Sequence, residues 1–213
     1  MTTVRVLRVF TDAAGASGNP LGVVLDAGAI AHARRQAIAA ELGYAETVFV
    51  ERDAHVQIFT PTVELPFAGH PTVGAAWLLR EPVLHVAAGD VRTRVERDRA
   101  WVLARAEWCP SFERRQLATP EQVDSYAPPS AGSVQVWAWS DERRGRIRAR
   151  VFVPELGVPE DAATGSATVA LCASLGRAIA IEQGPGCRIE ARPLDDGWIE
   201  LGGRVADDGE RVL

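Results

Sequence analysis

The chain has 213 residues and a formal net charge of −5, and 47% of its residues are apolar, which is the composition of an ordinary globular protein. This length can bury one large core or two small ones. The weak acidic charge gives no sign of a nucleic-acid or membrane surface. All 23 strongly basic residues are arginine, so there is no lysine amine for Schiff-base or pyridoxal phosphate chemistry.

Cysteine and histidine are few and scattered. An odd number of distant cysteines fits reduced thiols better than a disulfide framework, and no spacing matches a zinc site. The residues are Cys109, Cys172, Cys187, His32, His55, His70 and His85. The first residues lack the regions of a signal peptide, and no apolar run reaches transmembrane length. We therefore expect a cytoplasmic protein without a bound metal.

The first half of the chain reads as strands with two helical segments. Apolar alternation and β-branched runs predict strands at residues 4–10, 21–25, 44–51, 56–60, 83–87, 91–95 and 101–106. Residues 30–42 have helical composition and stop at Gly43, a plausible C-cap. The strand that begins near Tyr44 carries Glu46 at its start, and the strand 56–60 should pair with it.

The second half restarts after a polar linker. Residues 109–133 are rich in Pro, Ser, Gln and charge, which indicates a linker with one short helix near residues 120–126. Predicted strands follow at residues 134–139, 147–153, 178–181, 187–192, 198–201 and 211–213. Neither half has the regular strand–helix alternation of a parallel sheet, so we expect mainly antiparallel pairing.

Arginine recurs at every second position of one predicted strand, at Arg144, Arg146, Arg148 and Arg150. This spacing places the four side chains on one face. A solvated outer face is the favoured interpretation, and an anion-binding face is the alternative.

Two stretches share a glycine turn that opens directly into an apolar helix of small residues. Aligning Gly69 with Gly165 also aligns Thr72 with Thr168. A fixed offset of this kind indicates one supersecondary unit used twice. The helices contain almost no charge, so each should form the core of its own half. We predict halves at residues 1–108 and 109–213, around central helices 70–79 and 166–176.

A buried helix must still satisfy its first N–H groups, and a short glycine turn leaves them open to an anion. Two such termini that face each other would hold a carboxylate. A repeated core helix with polar capping is the alternative, and the repeat alone does not separate the two interpretations.

Several stretches then resemble, in order, the signature blocks of the phenazine-biosynthesis PhzF-like family. They are SGNPLGVV (17–24), AETVF (45–49), FTP (59–61), LPFAGHPT (65–72) and PEDAATGSA (159–167). The resemblance implies the diaminopimelate-epimerase fold, an α+β architecture of two pseudo-symmetric halves. Each half is a β-barrel-like sheet around a central helix, and the active site lies in the cleft between the halves.

The resemblance also implies cofactor-independent isomerisation, in which a glutamate removes a proton from carbon and returns it elsewhere on the molecule. Glu46 stands at the position of that glutamate, while His70 and Asp161 match positions that orient substrate or relay a proton. Each has a simpler interpretation: Glu46 could face water, and His70 and Asp161 could cap their helices.

The resemblance implies that a second group of residues binds substrate. Within it, Ser166 would bond a carboxylate, and the first N–H groups of the two helices would donate to a developing carbanion or enolate. The group consists of Asn19, Gly69, Thr72, Gly165, Ser166 and Ala167. A serine at a helix start also needs no function.

Two features depart from the resemblance. Neither glycine turn carries a cysteine, and Cys172 lies about two turns inside its helix, which argues against the two-thiol racemase mechanism. The chain is also short, so that strands or a helix of the second half seem to be missing. An exposed sheet edge would then need covering, and a homodimer could cover it.

Three hypotheses follow. The chain could be an isomerase or epimerase that uses Glu46 as a proton shuttle on a small carboxylated metabolite. It could be a cyclase or double-bond isomerase of natural-product biosynthesis that uses the same acid. It could also be a non-catalytic relative that binds a small acid or a protein, although such a relative would not need Glu46, His70 and Asp161 together.

Overall fold

The structure is a computed structural model that describes residues 2–213. The strands are β1 (Thr3–Thr11), β2 (Asn19–Val24), β3 (Glu46–Val50), β4 (Val56–Phe59), β5 (Glu64–Leu65), β6 (Val83–Val86), β7 (Gly89–Glu96), β8 (Arg99–Arg105), β9 (Glu113–Gln116), β10 (Val134–Asp141), β11 (Arg146–Val153), β12 (Val158–Asp161), β13 (Ile179–Gln183), β14 (Cys187–Pro193) and β15 (Trp198–Val212). The helices are α1 (His32–Leu42), α2 (Gly69–Leu79), α3 (Pro120–Asp124) and α4 (Gly165–Leu175).

The same order of elements occurs twice. The run β2-α1-β3-β4-β5-α2-β6-β7-β8 is repeated by β9-α3-β10-β11-β12-α4-β13-β14-β15. The pairings repeat as well, since α1 and α3 each connect two parallel strands, β2 with β3 and β9 with β10. The α+β prediction of two similar sheets around central helices is confirmed.

The second run lacks no element of the first. Each element of the first run has a counterpart, although the crossover helix is shorter, with 11 residues in α1 and five in α3. The short helix expected near residues 120–126 is confirmed as α3. Strand β9 lies inside the expected linker, where four exposed polar residues gave no apolar pattern to detect.

Strand β15 ties the two runs together. It pairs with β14 of its own run, and with β1 and β8 from the first 105 residues. The sequence predicted two separate strands here, at residues 198–201 and 211–213, because two glycines interrupt the apolar pattern. A Cβ on Gly202 would lie 2.2 Å from the Trp101 ring, and one on Gly203 would lie 2.6 Å from the Phe10 ring. These glycines continue the strand by making room for neighbouring rings.

Helices α2 and α4 are buried in the centre. The first eight residues of α2 are all buried, and so is most of α4, because small apolar side chains allow the sheets to pack closely on every side. One hydrophobic core contains residues of both runs, including Leu7, Val73, Val169 and Ile189. Helix α1 instead covers an outer face of the first run and ends at Gly43, as expected. No helix within residues 2–213 has the length and apolarity to cross a membrane.

The four arginines in and before β11 divide into two pairs. Arg144 and Arg146 are exposed, as the favoured interpretation expected, whereas Arg148 and Arg150 are partly buried. Arg150 forms two 2.7 Å contacts with the carboxylate of Glu160 and also donates to the carbonyls of Asp124 and Tyr126. Arg148 donates to the Asp124 carboxylate at 2.7 Å. These side chains attach α3 to the sheet, an outcome that strand periodicity alone cannot indicate.

Candidate active site

The N-termini of α2 and α4 meet at two glycines. A Cβ on Gly69 would lie 2.6 Å from the carbonyl carbon of Gly165, and a Cβ on Gly165 would lie 2.8 Å from Cα of Gly69. Any larger residue at either position would force the backbones apart. The repeated glycine is therefore needed for a backbone contact that brings two helix N-termini to one place.

Neither helix has a side-chain cap. The N-cap residues are Ala68 and Thr164, and no side chain makes a cap hydrogen bond at either position. The alternative in which His70 and Asp161 serve as helix caps is therefore wrong. The first N–H groups of a helix have no intrahelical partner, and the helix dipole gives this end a partial positive charge. Both ends are thus suited to an anion.

Glu46 and His70 form the first pair of the site. Glu46 begins β3 and His70 is the second residue of α2, and Glu46 Oε2 lies 2.9 Å from His70 Nδ1. The Glu46 side chain is 14% exposed, whereas that of His70 is 2% exposed. Burial by itself lowers the pKa of His70, but the charges of Glu46 and Asp161 outweigh it, and the pKa is raised above its usual value. The neighbouring carboxylates therefore favour the protonated form of His70.

Asp161 is held at both carboxylate oxygens. Asn19 donates to Oδ1 at 2.7 Å, and the Thr164 hydroxyl donates to Oδ2 at 2.6 Å. Asp161 is 4% exposed, and burial together with the nearby Glu46 charge raises its pKa, against the opposing effect of His70. The carboxylate is fixed in place and turned away from solvent.

Asn19 connects the two runs. Its Nδ2 lies 3.5 Å from His70 Nδ1, and it donates to Asp161 and, at 3.2 Å, to the carbonyl of Ala163. It begins β2, so it carries a first-run side chain to the turn before α4. Glu46, His70, Asn19 and Asp161 thus form one buried polar group.

The other predicted binding residues surround this group. Gly69 and Gly165 form the contact between the helices, and Ser166 and Ala167 lie in the first turn of α4, with Ser166 6% exposed. Thr72 is different, because its N–H and its hydroxyl both donate to the carbonyl of Ala68. Both of its donors are already used inside α2.

Sequence reasoning missed two members of the group, Thr164 and Gln183. Gln183 Nε2 donates to the carbonyl of Asp161 at 2.7 Å and to the Thr164 hydroxyl oxygen at 2.9 Å. Asp161 lies three residues before Thr164, which directly precedes α4, and this spacing could have indicated the hydrogen bond between their side chains. The sequence analysis assigns Gln183 no role in the site, which it reaches through the pairing of β13 with β11 and β14.

Cys109 and Cys172 lie outside this arrangement. Cys172 is inside α4 and donates its thiol to the carbonyl of Arg177, and burial raises its pKa to about 12. Burial also raises the pKa of Cys109 to about 12. Both thiols are therefore held in the unreactive protonated form. Among residues 2–213, no cluster of three or more His, Cys, Asp or Glu side chains could hold a metal ion.

The site is largely enclosed. Of the three ionisable groups, Glu46 is the most exposed, at 14% against 2% and 4%.

Comparison with known proteins identifies the family. The model of the PhzC-PhzF family, described as phenazine biosynthesis-like protein, matches residues 7–98 and 109–193. A trans-2,3-dihydro-3-hydroxyanthranilate isomerase from Pseudomonas aeruginosa is 32% identical over 208 residues, which cover 75% of each chain. An uncharacterised isomerase from Mesorhizobium japonicum is 38% identical over 124 residues, which cover 51% of this chain and 39% of that relative.

Solved structures share the fold. A putative phenazine-biosynthesis PhzC/PhzF protein from Clostridium difficile superposes with a TM-score of 0.79 at 19% identity, and the match covers 100% of this chain and 99% of the other. A hydroxyproline epimerase from Agrobacterium vitis has a TM-score of 0.64 at 11% identity and covers 99% and 91%. The resemblance found in the sequence is confirmed. The chain belongs to the PhzC-PhzF family of phenazine biosynthesis-like proteins and is an isomerase.

Proposed function

We propose that the chain moves a proton on a small carboxylated metabolite without a cofactor, with Glu46 as the acid and base. The observation that carries this proposal is the exposure of Glu46 within an otherwise buried ionisable group. His70 and Asp161 are almost fully enclosed, whereas the side chain of Glu46 is 14% exposed and contacts the second residue of α2. A base must reach its substrate, and only Glu46 of the three is placed to do so.

The chemistry follows from these positions. A carboxylate is a weak base for a C–H bond, so the site must stabilise the charge that develops on the substrate. The free N–H groups of α2 and α4 supply donors for the substrate carboxylate or its enolate form. Glu46 Oε2 faces His70, which leaves Oε1 to take the proton and return it to another atom. A single carboxyl group delivers the proton on the face from which it removed it.

The asymmetry of the two runs favours isomerisation over epimerisation. In the first run, Glu46 comes just before Thr47, which pairs with Phe59 of β4. In the second run, the pair at the matching place is Val134 with Phe152 of β11, and the residue just before Val134 is Ser133. The counterpart of Glu46 is therefore a serine. Inversion of a centre needs a proton donor on the opposite face, and the carboxylate of Asp161, bonded at both oxygens, is poorly placed to supply one.

The substrate class is proposed from two supports. The helix N-termini favour an anion, and the relatives that cover three quarters of the chain are named for an amino carboxylic acid, trans-2,3-dihydro-3-hydroxyanthranilate. This compound is the first substrate to test, together with a panel of other small unsaturated carboxylates.

Glu46→Gln tests the proposal. The amide keeps the size of the side chain but cannot accept the proton, so kcat should fall by about 10²–10⁴-fold, the usual contribution of a general base. The measurement is product formation in D2O, with mass spectrometry to count solvent deuterium on carbon. Wild-type product should carry one deuterium or retain the substrate proton by internal return.

The matched control is Glu41→Gln on α1, whose side chain is 52% exposed and far from the helix contact in sequence and fold. It should retain wild-type activity. Full activity in Glu46→Gln would contradict the assignment of Glu46 as the base.

A further inference from the structure

Gln183 is a fully buried polar residue at the end of β13. The turn that follows it packs tightly on the segment before α4, since a Cβ on Gly184 would lie 2.6 Å from the carbonyl oxygen of Ala162. Arg148 donates to the carbonyls of Glu182 and Gly184, on either side of Gln183. The position of the Gln183 backbone is therefore set by contacts on both sides.

The hydrogen bonds of Gln183 fix the orientation of its amide. Nε2 donates to the Asp161 carbonyl, which can only accept. Nε2 also donates to the Thr164 hydroxyl, whose own proton is used on Asp161 Oδ2. Both partners are acceptors toward Gln183, so the nitrogen must face them. One amide group thus holds the backbone of Asp161 and, through Thr164, its carboxylate.

These bonds form one end of a continuous chain of polar side chains. Hydrogen bonds join Gln183 to Thr164, Thr164 to Asp161, and Asp161 to Asn19. Asn19 Nδ2 then packs 3.5 Å from His70 Nδ1, a contact between two N–H donors, and the same Nδ1 lies 2.9 Å from Glu46 Oε2. The chain begins on the last residue of β13 and ends on the exposed carboxylate of β3. It therefore crosses from the second run of elements to the first.

The scaffold itself does not require this polar contact. Asp161 pairs with Val151, and at the matching place in the first run Leu65 pairs with Ile58. Gln183 closes the β13–β14 hairpin, and its counterpart Val86 closes the β6–β7 hairpin. The first run thus uses two apolar residues where the second uses a buried amide and a carboxylate. Since burying polar groups is unfavourable unless they are bonded, the polar version calls for a reason other than folding.

We propose that Gln183 is a positioning residue of the isomerase site, which holds Asp161 and Thr164 so that Asn19 and His70 keep the Glu46 carboxylate in its reactive position. The inference rests on the proposed role of Glu46. Gln183 itself touches neither substrate nor the reacting atoms, so its loss should affect the chemical step more than substrate binding.

The test is Gln183→Met, which keeps the length of the side chain and removes the amide. A misplaced catalytic group costs up to about 10²-fold in rate, so we expect kcat to fall by about 10–100-fold on trans-2,3-dihydro-3-hydroxyanthranilate while KM changes by less than about 3-fold. Thr164→Val removes the middle link with little change of shape and should give the same pattern. The double variant should lose no more of its kcat than the more impaired of the two single variants, because both substitutions act through Asp161.

The matched control is Gln135→Met on β10. Gln135 is also fully buried, but its amide atoms have no hydrogen-bond partner among residues 2–213, so it stands outside the polar chain. Its replacement should leave kcat and KM at wild-type values. If Gln183→Met does not fold, Thr164→Val provides both readouts.

The second readout needs no substrate. The imidazole of His70 can be titrated by NMR and identified by its disappearance in His70→Gln. The charge of Asp161 favours protonated His70, so a displaced Asp161 should lower the pKa of His70 in Gln183→Met and leave it unchanged in Gln135→Met. A merely structural role for Gln183 would not move this titration.

Two results would overturn the inference. The first is a folded Gln183→Met variant with unchanged kcat and an unchanged His70 titration. The second is a variant with raised KM at constant kcat, which would make Gln183 a substrate-binding residue. Failure of the proposed function is separate. If wild-type protein isomerises no carboxylate in the panel, that proposal fails, while the His70 titration still decides whether Gln183 positions Asp161.

Discussion

At the scale of single residues, the chemistry of this protein depends on where charge is buried. Two carboxylates and one imidazole lie together in the site, those of Glu46, Asp161 and His70. Asp161 and His70 are almost fully enclosed. Burial disfavours each charge alone, but opposite charges at 2.9 Å offset that cost. The site therefore has one partly exposed carboxylate beside an imidazole whose protonation is favoured.

This arrangement predicts a pH-dependent stability. The pKa of His70 in the folded protein is above its usual 6.5, so protonation of His70 favours folding. That contribution is fully present below about pH 6.5 and is lost as the pH rises through the folded-state pKa. His70→Gln should therefore destabilise the protein more at pH 6 than at pH 9, by about 1.4 kcal/mol for each unit of the pKa difference.

Urea unfolding at the two pH values measures this effect. His32→Gln is the control, because His32 also contacts a glutamate, Glu64 at 2.7 Å, but its side chain is 63% exposed. An exposed pair is screened by solvent, so its loss should have a small effect at both pH values. Equal destabilisation by His70→Gln at pH 6 and pH 9 would contradict the raised pKa.

At the scale of elements, the site depends on two helices whose first residues are in backbone contact. Gly165 lies so close to α2 that a Cβ there would be 2.8–2.9 Å from Cα and C of Gly69 and from N of His70. Backbone atoms cannot rotate away as a side chain can. The contact therefore sets how far apart the two sets of N–H groups are held.

Gly165→Ala should consequently destabilise the protein by about 1–3 kcal/mol, the usual cost of overpacking a buried site, and should lower activity by separating the helix ends. Chemical denaturation and an activity assay measure the two effects. Gly28→Ala is the matched control, since a Cβ at Gly28 has nothing within 4 Å and should change stability by less than about 0.5 kcal/mol. Wild-type stability and activity in Gly165→Ala would show that the helices can separate freely.

At the scale of the whole molecule, β15 and a shared core join the two runs of elements. β15 pairs with β1 and β8 as well as with β14, and one hydrophobic core includes side chains from both runs. The division at residue 108 remains a prediction, but few contacts of β15 would survive if either part unfolded alone. We therefore expect a single cooperative unfolding transition.

Ile58→Val in β4 and Ile189→Val in β14 test this expectation, because both isoleucines are fully buried, one in each run. Each should lower the midpoint of the same transition, at a cost of about 0.5–1.5 kcal/mol. Calorimetry should give equal calorimetric and van't Hoff enthalpies for wild type and both variants. Two transitions, of which each variant shifts only one, would show that the runs unfold separately.

The sequence by itself determined the repeated unit and the family, because these depend on local patterns. A glycine turn followed by small apolar residues forms a helix that packs closely in any context, and Glu46 at the start of a β-branched strand is placed by that strand. The blocks that contain Glu46, His70 and Asp161 lie within such patterns, so their convergence could be anticipated.

Only the tertiary structure decided which polar groups meet. Gln183, Thr164 and Asn19 lie far apart in sequence, and their contacts depend on the pairing of β13 and on the approach of two helices. The contacts of Arg148 and Arg150 and the continuity of β15 were misread for the same reason. Period-2 spacing gives the face of a side chain, but the neighbour on that face comes from strands elsewhere in the chain.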